Sequence, residues 1–302
     1  MNSAYPSPQQ VDHWVQSIWD LANTESWKVE RLEEHGFSYH MGLWHLDDAL
    51  RYLKFTPEHM APFYCYWQPA VSGPAPLVIH VPGYGAEISA HPEIVAQGYN
   101  VLHISPLGYA TPQGADETKK RADDWPVLQD TIISGGEEGY KYWLANCIIA
   151  INWALEQPEV LKERLSFFGT SQGGGGALLL GSLFQNKGTR CVAADLPFLT
   201  NFPLANGRGA YRRVKETFGQ IDDLNQGLLA LGLVDTLSHA RRLTCPVLLT
   251  AGEKDETCPP ETVASLFNEL PSTRSLTYLK EGIHRYSREF IPLVTAWLRL
   301  YA

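Results

Sequence analysis

A single serine followed by a run of glycines, in the stretch LSFFGTSQGGGGALLLG (165–181), constrains this chain more than any other feature. Glycine weakens strands and helices because it loses the most backbone entropy on folding, so four in a row at the start of a helix need a steric reason. The apolar runs on both sides argue against a flexible linker. They predict a strand, a tight turn that presents Ser171, and a helix.

Short apolar runs recur from about residue 63 and alternate with helical stretches. Near-continuous apolar runs of this kind predict a mostly parallel sheet with helices on both faces. The segment 62–69 is interpreted as an antiparallel edge strand that leads into this sheet. The predicted strands are PLVIHV (76–81), NVLHIS (100–105), RLSFFG (164–169), CVAADL (191–196), PVLLTAG (246–252) and RSLTYL (274–279).

The N-terminal part of the chain has a different pattern. From Val11 to about Tyr52, apolar residues recur at spacings of three and four, which is typical of amphipathic helices. The sequence therefore predicts a helical extension over residues 1–60 and an α/β domain over residues 61–302.

The residues from Gly169 to Gly173 form the pattern G-x-S-x-G between the predicted strand and helix. In a turn of this type the serine is an exposed nucleophile, and side chains two positions before and after it would collide with neighbouring backbone. The alternative is a chance match at a helix N-cap, where serine is common. The strand–turn–helix context favours a nucleophile at Ser171.

A serine nucleophile needs a base, and the base needs an acid to orient it. With this type of turn the order along the chain is Ser, then Asp or Glu, then His, on loops after later strands. His284 follows the last predicted strand and is the candidate base. Asp255 in EKDETCPP is the candidate acid, with Glu256 as the reserve choice. The alternative role for Asp255 is a turn or helix-cap carboxylate.

Attack on a carbonyl also requires two N–H donors for the oxyanion. The backbone N–H groups of Gln172 and of Tyr84, in the loop PGYGAE, are the candidates. The alternative for that loop is a phosphate or dinucleotide site, but Ile88 replaces the third glycine of G-x-G-x-x-G. The aromatic residues Trp125 and Phe198 are candidates to line an acyl pocket, with ordinary core packing as their alternative.

Composition limits the other classes of function. The chain has 24 Lys and Arg against 33 Asp and Glu, without a basic patch, which argues against nucleic acid or an anionic membrane as a partner. Five dispersed cysteines predict reduced thiols and a cytoplasmic protein, and no signal peptide or membrane span is recognisable. His80 and His103 lack carboxylates or cysteines at metal-ligand spacing, so they are expected to be core or site-lining residues and not zinc ligands.

Four segments, GTSQGGGGALLL, AADLPFLTNFP, CPVLLTAGEKDETCPP and GYGA, resemble the acetyl xylan esterase / cephalosporin C deacetylase family, carbohydrate esterase family 7. The resemblance covers roughly residues 75–302. It implies an α/β-hydrolase fold without cofactor, a homo-oligomer, and removal of acetyl groups from short oligosaccharides and small esters. Onto this chain the family's triad maps as Ser171, Asp255 and His284, and its oxyanion donors map as Tyr84 and Gln172.

Two departures from that family indicate a divergent member. Leu107-Gly108-Tyr109 stands where the family has R-G-Q, and Arg285 stands where it has glutamate after the histidine. General carboxylesterases, dienelactone-hydrolase-like enzymes and acyl-aminoacyl peptidase-type hydrolases are the alternatives. The polar segment 200–243 lacks the contiguous apolar face of a lipase lid, which predicts a compact acyl pocket for acetyl or propionyl esters.

Overall fold

In the described part of the chain, nine strands form one sheet, and two short strands form a second. The structure is a computed structural model that describes residues 4–32, 51–84, 91–105, 110–111, 114–115, 126–285 and 289–302. Along the chain the strands are β1 (Trp27–Leu32), β2 (Arg51–Pro57), β3 (Phe63–Gln68), β4 (Ala75–Val81), β5 (Asn100–Ser105), β6 (Ala110–Thr111), β7 (Gly114–Ala115), β8 (Val160–Thr170), β9 (Thr189–Asp195), β10 (Val247–Gly252) and β11 (Arg274–Leu279).

The large sheet has the order β1-β2-β3-β5-β4-β8-β9-β10-β11. The pairs from β1 to β5 are antiparallel, and every pair from β5 to β11 is parallel. All six apolar runs of the sequence are strands of this sheet, and they are its parallel part. The predicted parallel sheet is confirmed.

The strand order reverses at β4, because β5 lies on one side of it and β8 on the other. In an open α/β sheet, a crevice forms at such a switch point, outside the carboxyl ends of the two strands. Here those ends are Val81 of β4 and Thr170 of β8. The serine turn directly follows Thr170, so the topology places Ser171 at this crevice.

Helices cover both faces of the sheet, as predicted for an α/β fold. One apolar core contains buried residues of α1, α4 and α5, and a second core, on the other side of the sheet, contains residues of α2 and α10. In the described part of the chain, no helix is long and apolar enough to cross a bilayer. The helices are α1 (Pro8–Thr24), α2 (Pro92–Val95), α3 (Pro126–Ile133), α4 (Tyr140–Leu155), α5 (Gln172–Leu183), α6 (Phe202–Ala205), α7 (Arg212–Phe218), α8 (Leu224–Leu233), α9 (Pro260–Glu269) and α10 (Phe290–Tyr301).

Among the described residues of the predicted N-terminal helical region, α1 is helical. Ser7 caps it, and Gln10 returns the bond to the Ser7 N–H, so two otherwise unpaired donors are satisfied. Its buried face includes Trp14, whose indole N–H donates to Gly136 O at 2.9 Å. This bond and the apolar face attach α1 to the rest of the chain.

The helical interpretation of residues 27–32 and 51–57 was wrong, because these residues form β1 and β2. The two strands pair in antiparallel register from Trp27 opposite Pro57 to Leu32 opposite Tyr52. The strand predicted at the sheet edge, now β3, is antiparallel but internal, since it pairs with both β2 and β5. Residues 33–50, which carried part of the helical pattern, lie outside the described residues.

Candidate active site

Ser171 occupies the turn between β8 and α5 in a backbone conformation that residues other than glycine rarely adopt, with φ of 58° and ψ of −118°. A non-glycine residue with positive φ costs roughly 1–3 kcal/mol and needs its surroundings to hold it. Three backbone bonds do so here. The Ser171 N–H donates to Asp195 O at 2.8 Å, and Ser171 O accepts from Gly175 at 3.0 Å and Phe198 at 2.9 Å.

The glycines around the serine have the steric reason that the sequence suggested. A Cβ on Gly169 would lie 2.5 Å from Val81 O, and one on Gly173 would lie 2.6 Å from Pro82 O. Real Cβ atoms do not approach a carbonyl so closely, so a side chain at either position would push β4 away from the serine turn. Glycine therefore lets the nucleophile turn and β4 lie in contact.

His284 lies between Ser171 and Asp255. Its Nε2 is 2.8 Å from Ser171 Oγ, and its Nδ1 is 2.8 Å from Asp255 Oδ2. A carboxylate only accepts hydrogen bonds, so Nδ1 carries the proton and Nε2 presents a lone pair to the serine hydroxyl. This is the tautomer that a general base needs to take a proton from serine.

Asp255 is a buried carboxylate in the loop after β10, and its other oxygen is also bonded. Asp255 Oδ1 accepts the backbone N–H groups of Thr257 and Cys258, both at 2.8 Å. The turn role that was the alternative for Asp255 is thus present together with the bond to His284. Glu256, the reserve choice for the acid, is exposed at this loop.

A cavity of about 1060 Å³ opens at the serine and is lined by Tyr84, Ser171 and His284 among others. Tyr84 follows β4, and a Cβ on its neighbour Gly83 would lie 3.9 Å from Ser171 Cβ. Gln172 is the first residue of α5, where N–H groups have no acceptor within the helix. Both predicted oxyanion donors are therefore adjacent to the serine along the chain or in space.

The two aromatic candidates for the acyl pocket have different outcomes. Phe198 is fully buried, and its ring packs against Tyr211 with centroids 4.7 Å apart and against Phe202 at 6.0 Å. Among the described residues Phe198 thus belongs to the core, not to the cavity lining, and its assignment to the substrate pocket was wrong. Trp125 and the divergent residues 107–109 lie outside the described residues.

Sequence reasoning missed the charged wall of the cavity. The segment 207–213 contributes Arg208, Arg212 and Arg213, and the segment 253–261 contributes Glu253, Glu256 and Glu261. Arg208 forms an ion pair with Glu261 at 2.6 Å. The signal in the sequence was the arginine-rich string GRGAYRR, but nothing in it showed that this string faces a distant serine.

Asp195 was also missed as a neighbour of the site. It is fully buried at the end of β9, and burial is the largest influence on its carboxyl group, raising the pKa to about 6. Hydrogen bonds from Thr250 and Thr170 and the charge of His284 oppose that shift, and the charge of Asp255 adds to it. A second acid therefore lies within electrostatic reach of the histidine and aspartate.

The sequence is similar to those of known acetyl esterases. The acetyl xylan esterase family model, AXE1, matches residues 35–299. "Acetyl esterase Axe7A" of Xylanibacter ruminicola is 25% identical over 261 residues, which are 82% of this chain and 58% of that protein. The chain thus spans little more than half the length of this curated relative.

Two solved structures share the fold over nearly the whole chain. Acetyl xylan esterase 1 from Thermoanaerobacterium sp. superposes with a TM-score of 0.80 at 22% identity, covering 98% of this chain and 95% of that one. The acetyl xylan esterase from Paenibacillus sp. R4 gives 0.76 at 19% identity, covering 97% and 95%. The fold is therefore that of the α/β-hydrolases, and with a family match over most of its length this chain belongs to the acetyl xylan esterase family.

Proposed function

We propose that this protein is a serine esterase that hydrolyses short-chain acyl esters, acetyl esters above all, of carbohydrates or other small polar alcohols. The observation that carries the proposal is the continuous hydrogen-bond chain from Ser171 Oγ through His284 to Asp255, with 2.8 Å at each link. Such a chain is the arrangement that activates a serine hydroxyl. The family membership supports acetyl esters as substrates.

The reaction follows from the positions of these groups. Ser171 Oγ attacks the ester carbonyl while His284 Nε2 takes its proton, and Asp255 stabilises the imidazolium and holds its orientation. The backbone N–H groups of Gln172 and Tyr84 stabilise the negative oxygen of the tetrahedral intermediate. His284 then gives the proton to the leaving alcohol, and water repeats the attack on the acyl-serine.

The cavity wall supports a polar alcohol part. Three arginines of the segment 207–213 and three glutamates of the segment 253–261 line the opening. The two segments contact each other, since the Ala210 N–H donates to Thr257 O at 3.0 Å. A lipase would present a broad apolar surface there to bind a long acyl chain at an interface. Charged side chains around the serine instead provide hydrogen bonds that suit hydroxyl-bearing molecules such as sugars.

A series of nitrophenyl esters from C2 to C12 tests this assignment. We expect kcat/KM to be highest for acetyl or propionyl esters and to fall steeply by octanoyl, without activation by lipid interfaces. Acetylated xylo-oligosaccharides should also be deacetylated. An optimum at C8 or longer would contradict the acetyl-esterase assignment and favour a general carboxylesterase.

We further propose that the protein acts in the cytoplasm as a homo-oligomer. Support for a reducing compartment comes from the five cysteines, all of which are free and four of which are buried. Light scattering coupled to size-exclusion chromatography should give a multiple of the chain mass, and cell fractionation should place the activity with cytosolic markers. A monomer at assay concentrations, or activity outside the cytosol, would contradict the corresponding part of the proposal.

A further inference from the structure

Asp195 joins the ends of three neighbouring strands beneath the serine turn. Its backbone carbonyl accepts the Ser171 N–H at 2.8 Å, and its Oδ2 accepts the hydroxyl of Thr170, the residue before the nucleophile, at 3.0 Å. Its Oδ1 accepts the hydroxyl of Thr250 at 2.5 Å. Because Thr250 lies on β10, whose following loop carries Asp255, one carboxyl group connects the nucleophile strand with the acid strand.

Holding these three strands together does not by itself require a carboxylate. An asparagine at the same position could bond to both hydroxyl groups without placing a charge in the core, and burying a charge destabilises a fold. Burial does oppose ionisation here, which is why the pKa of Asp195 rises to about 6. At neutral pH the side chain is nevertheless ionised, so its negative charge interacts with charged groups nearby.

In the proposed reaction, the charge of Asp195 acts on His284. The positive charge of His284 favours the ionised form of Asp195, and Coulomb interactions are reciprocal. The negative charge of an ionised Asp195 therefore attracts a positive charge on the His284 ring. The positively charged ring is the imidazolium that develops as His284 takes the proton of Ser171.

We propose that Asp195 is a positioning residue of this esterase, whose carboxylate stabilises the imidazolium of His284 from beneath the site and whose hydrogen bonds hold the Ser171 turn against β10. The inference rests on the proposed function, because it assigns a role in that reaction. Asp195 is thus a second carboxylate, besides Asp255, that stabilises the charged His284, and it does not contact the reacting atoms.

The test compares wild type with Asp195→Asn across pH. At pH 8 we expect kcat/KM for nitrophenyl acetate to be about tenfold lower in the variant, equivalent to about 1.4 kcal/mol. Below pH 6 the ratio should approach one, because Asp195 of the wild type is then also neutral. The variant should also melt at a higher temperature at pH 8, since it no longer buries a charge.

Two further variants separate charge from structure. Asp235→Asn alters another buried carboxylate, one that accepts backbone N–H groups of Asn201, Phe202 and Leu237 away from the triad, and its activity ratio to wild type should not vary with pH. Thr250→Val keeps Asp195 but removes a donor that lowers its pKa. In this variant activity should therefore rise to its plateau at a higher pH than in wild type.

The rate of serine labelling by a fluorophosphonate, measured over the same pH range, makes the result independent of the substrate. If wild type is labelled but hydrolyses no acetyl ester, the proposed function fails and the labelling ratio alone decides the role of Asp195. A ratio that stays constant from pH 5.5 to 8, an Asp195→Asn variant as active as wild type at pH 8, or a wild type that is not labelled would each overturn the inference.

Discussion

At the residue scale, Asp255 is held by different partners at each of its two oxygens. Oδ1 accepts two N–H groups of its own loop, and this fixes the side chain so that Oδ2 faces His284 Nδ1. The short aspartate side chain can make both sets of bonds, because the N–H groups that Oδ1 accepts lie only two and three residues further along the chain. A histidine with its Nδ1 proton fixed in this way can act only through Nε2, which faces Ser171.

We predict that Asp255→Asn lowers kcat by about 10³–10⁴-fold, because an amide can donate to Nδ1 and so favour the tautomer that cannot accept the serine proton. Steady-state kinetics with nitrophenyl acetate measure this directly. Glu256→Gln, a neutralisation of the adjacent exposed carboxylate, is the control and should remain close to wild type. The opposite ranking of the two variants would assign the acid role to Glu256.

The residues of the hydrogen-bond chain could be identified from the sequence because each has a local signal. Ser171 lies within G-x-S-x-G, and Asp255 and His284 each follow a predicted strand in a loop. Asp195 had no such signal, because Thr170 and Thr250 meet it only when three strands are aligned side by side. Phe198 was misassigned because its position just after β9, the strand beside β8, does not show which way its ring points.

At the scale of elements, the approach of α5 to β4 determines where the nucleophile lies. Gly173 is in the first turn of α5, and its Cα faces the carbonyl groups of Val81 and Pro82 at the end of β4. Those residues lead directly to Tyr84, a proposed oxyanion donor. The distance between helix and strand therefore sets the distance between the serine and that donor.

Replacing Gly173 by alanine should separate these two elements. The added Cβ would lie 2.6 Å from Pro82 O and closer still to Val81 O, so the helix or the strand must shift. We expect a loss of about 1–3 kcal/mol in the free energy of unfolding, as for other overpacked sites, and at least a tenfold loss of kcat/KM. Urea denaturation and nitrophenyl acetate kinetics measure the two effects.

Gly219→Ala is the matched control for this prediction. It makes the same chemical change, but the new Cβ would lie no closer than 3.4 Å to its neighbours, at an ordinary backbone conformation. Its stability and activity should stay near those of wild type. Equal tolerance of alanine at Gly173 and Gly219 would show that the close approach of α5 to β4 is not required.

The elements differed in how well the sequence predicted them, and their burial explains the difference. Strands such as β5 and β10 are covered on both faces, so their sequences are nearly continuous apolar runs. Strand β1 is half-exposed and alternates polar with apolar residues over only six positions, as in WKVERL. So short an alternation was not distinguishable from a continuation of the helical pattern of α1.

At the scale of the whole molecule, several ionisable groups are buried away from the triad. His80 and His103 contact each other at 3.2 Å between their Nδ1 atoms, and His239 lies in a separate buried network with Ser182. Burial lowers the pKa of His80 and His103 well below the usual value and that of His239 to about 4. All three histidines are therefore neutral in the folded protein at neutral pH.

The fold should consequently lose stability when acidified. Each of these histidines binds a proton more tightly in the unfolded chain, whose usual pKa is near 6.5, so each costs about 1.4 kcal/mol per pH unit below that value. Asp195, with its raised pKa, acts in the opposite direction between pH 4 and 6, and the pKa of buried Asp235 is raised as well. Three histidines outweigh the two carboxyl groups, and we expect the free energy of unfolding to fall between pH 7 and 5.5.

Urea denaturation at half-unit pH steps measures this dependence. His239→Gln should make the unfolding free energy depend less steeply on pH, by about one proton or roughly 1.4 kcal/mol per pH unit. The reason is that glutamine can bond to Ser182 and to the Leu233 carbonyl without titrating. An unfolding free energy that is constant or rises on acidification would contradict the neutral state of the buried histidines.

Peptide mapping after reaction with a fluorophosphonate tests whether Ser171 is the nucleophile that the hydrogen-bond chain through His284 to Asp255 activates. We expect one adduct, on the peptide that contains Ser171, and complete loss of nitrophenyl acetate hydrolysis in the labelled protein. Ser171→Ala should fold, as judged by circular dichroism, and show neither labelling nor hydrolysis. An adduct on another residue, or hydrolysis retained by the folded Ser171→Ala protein, would show that Ser171 is not the nucleophile.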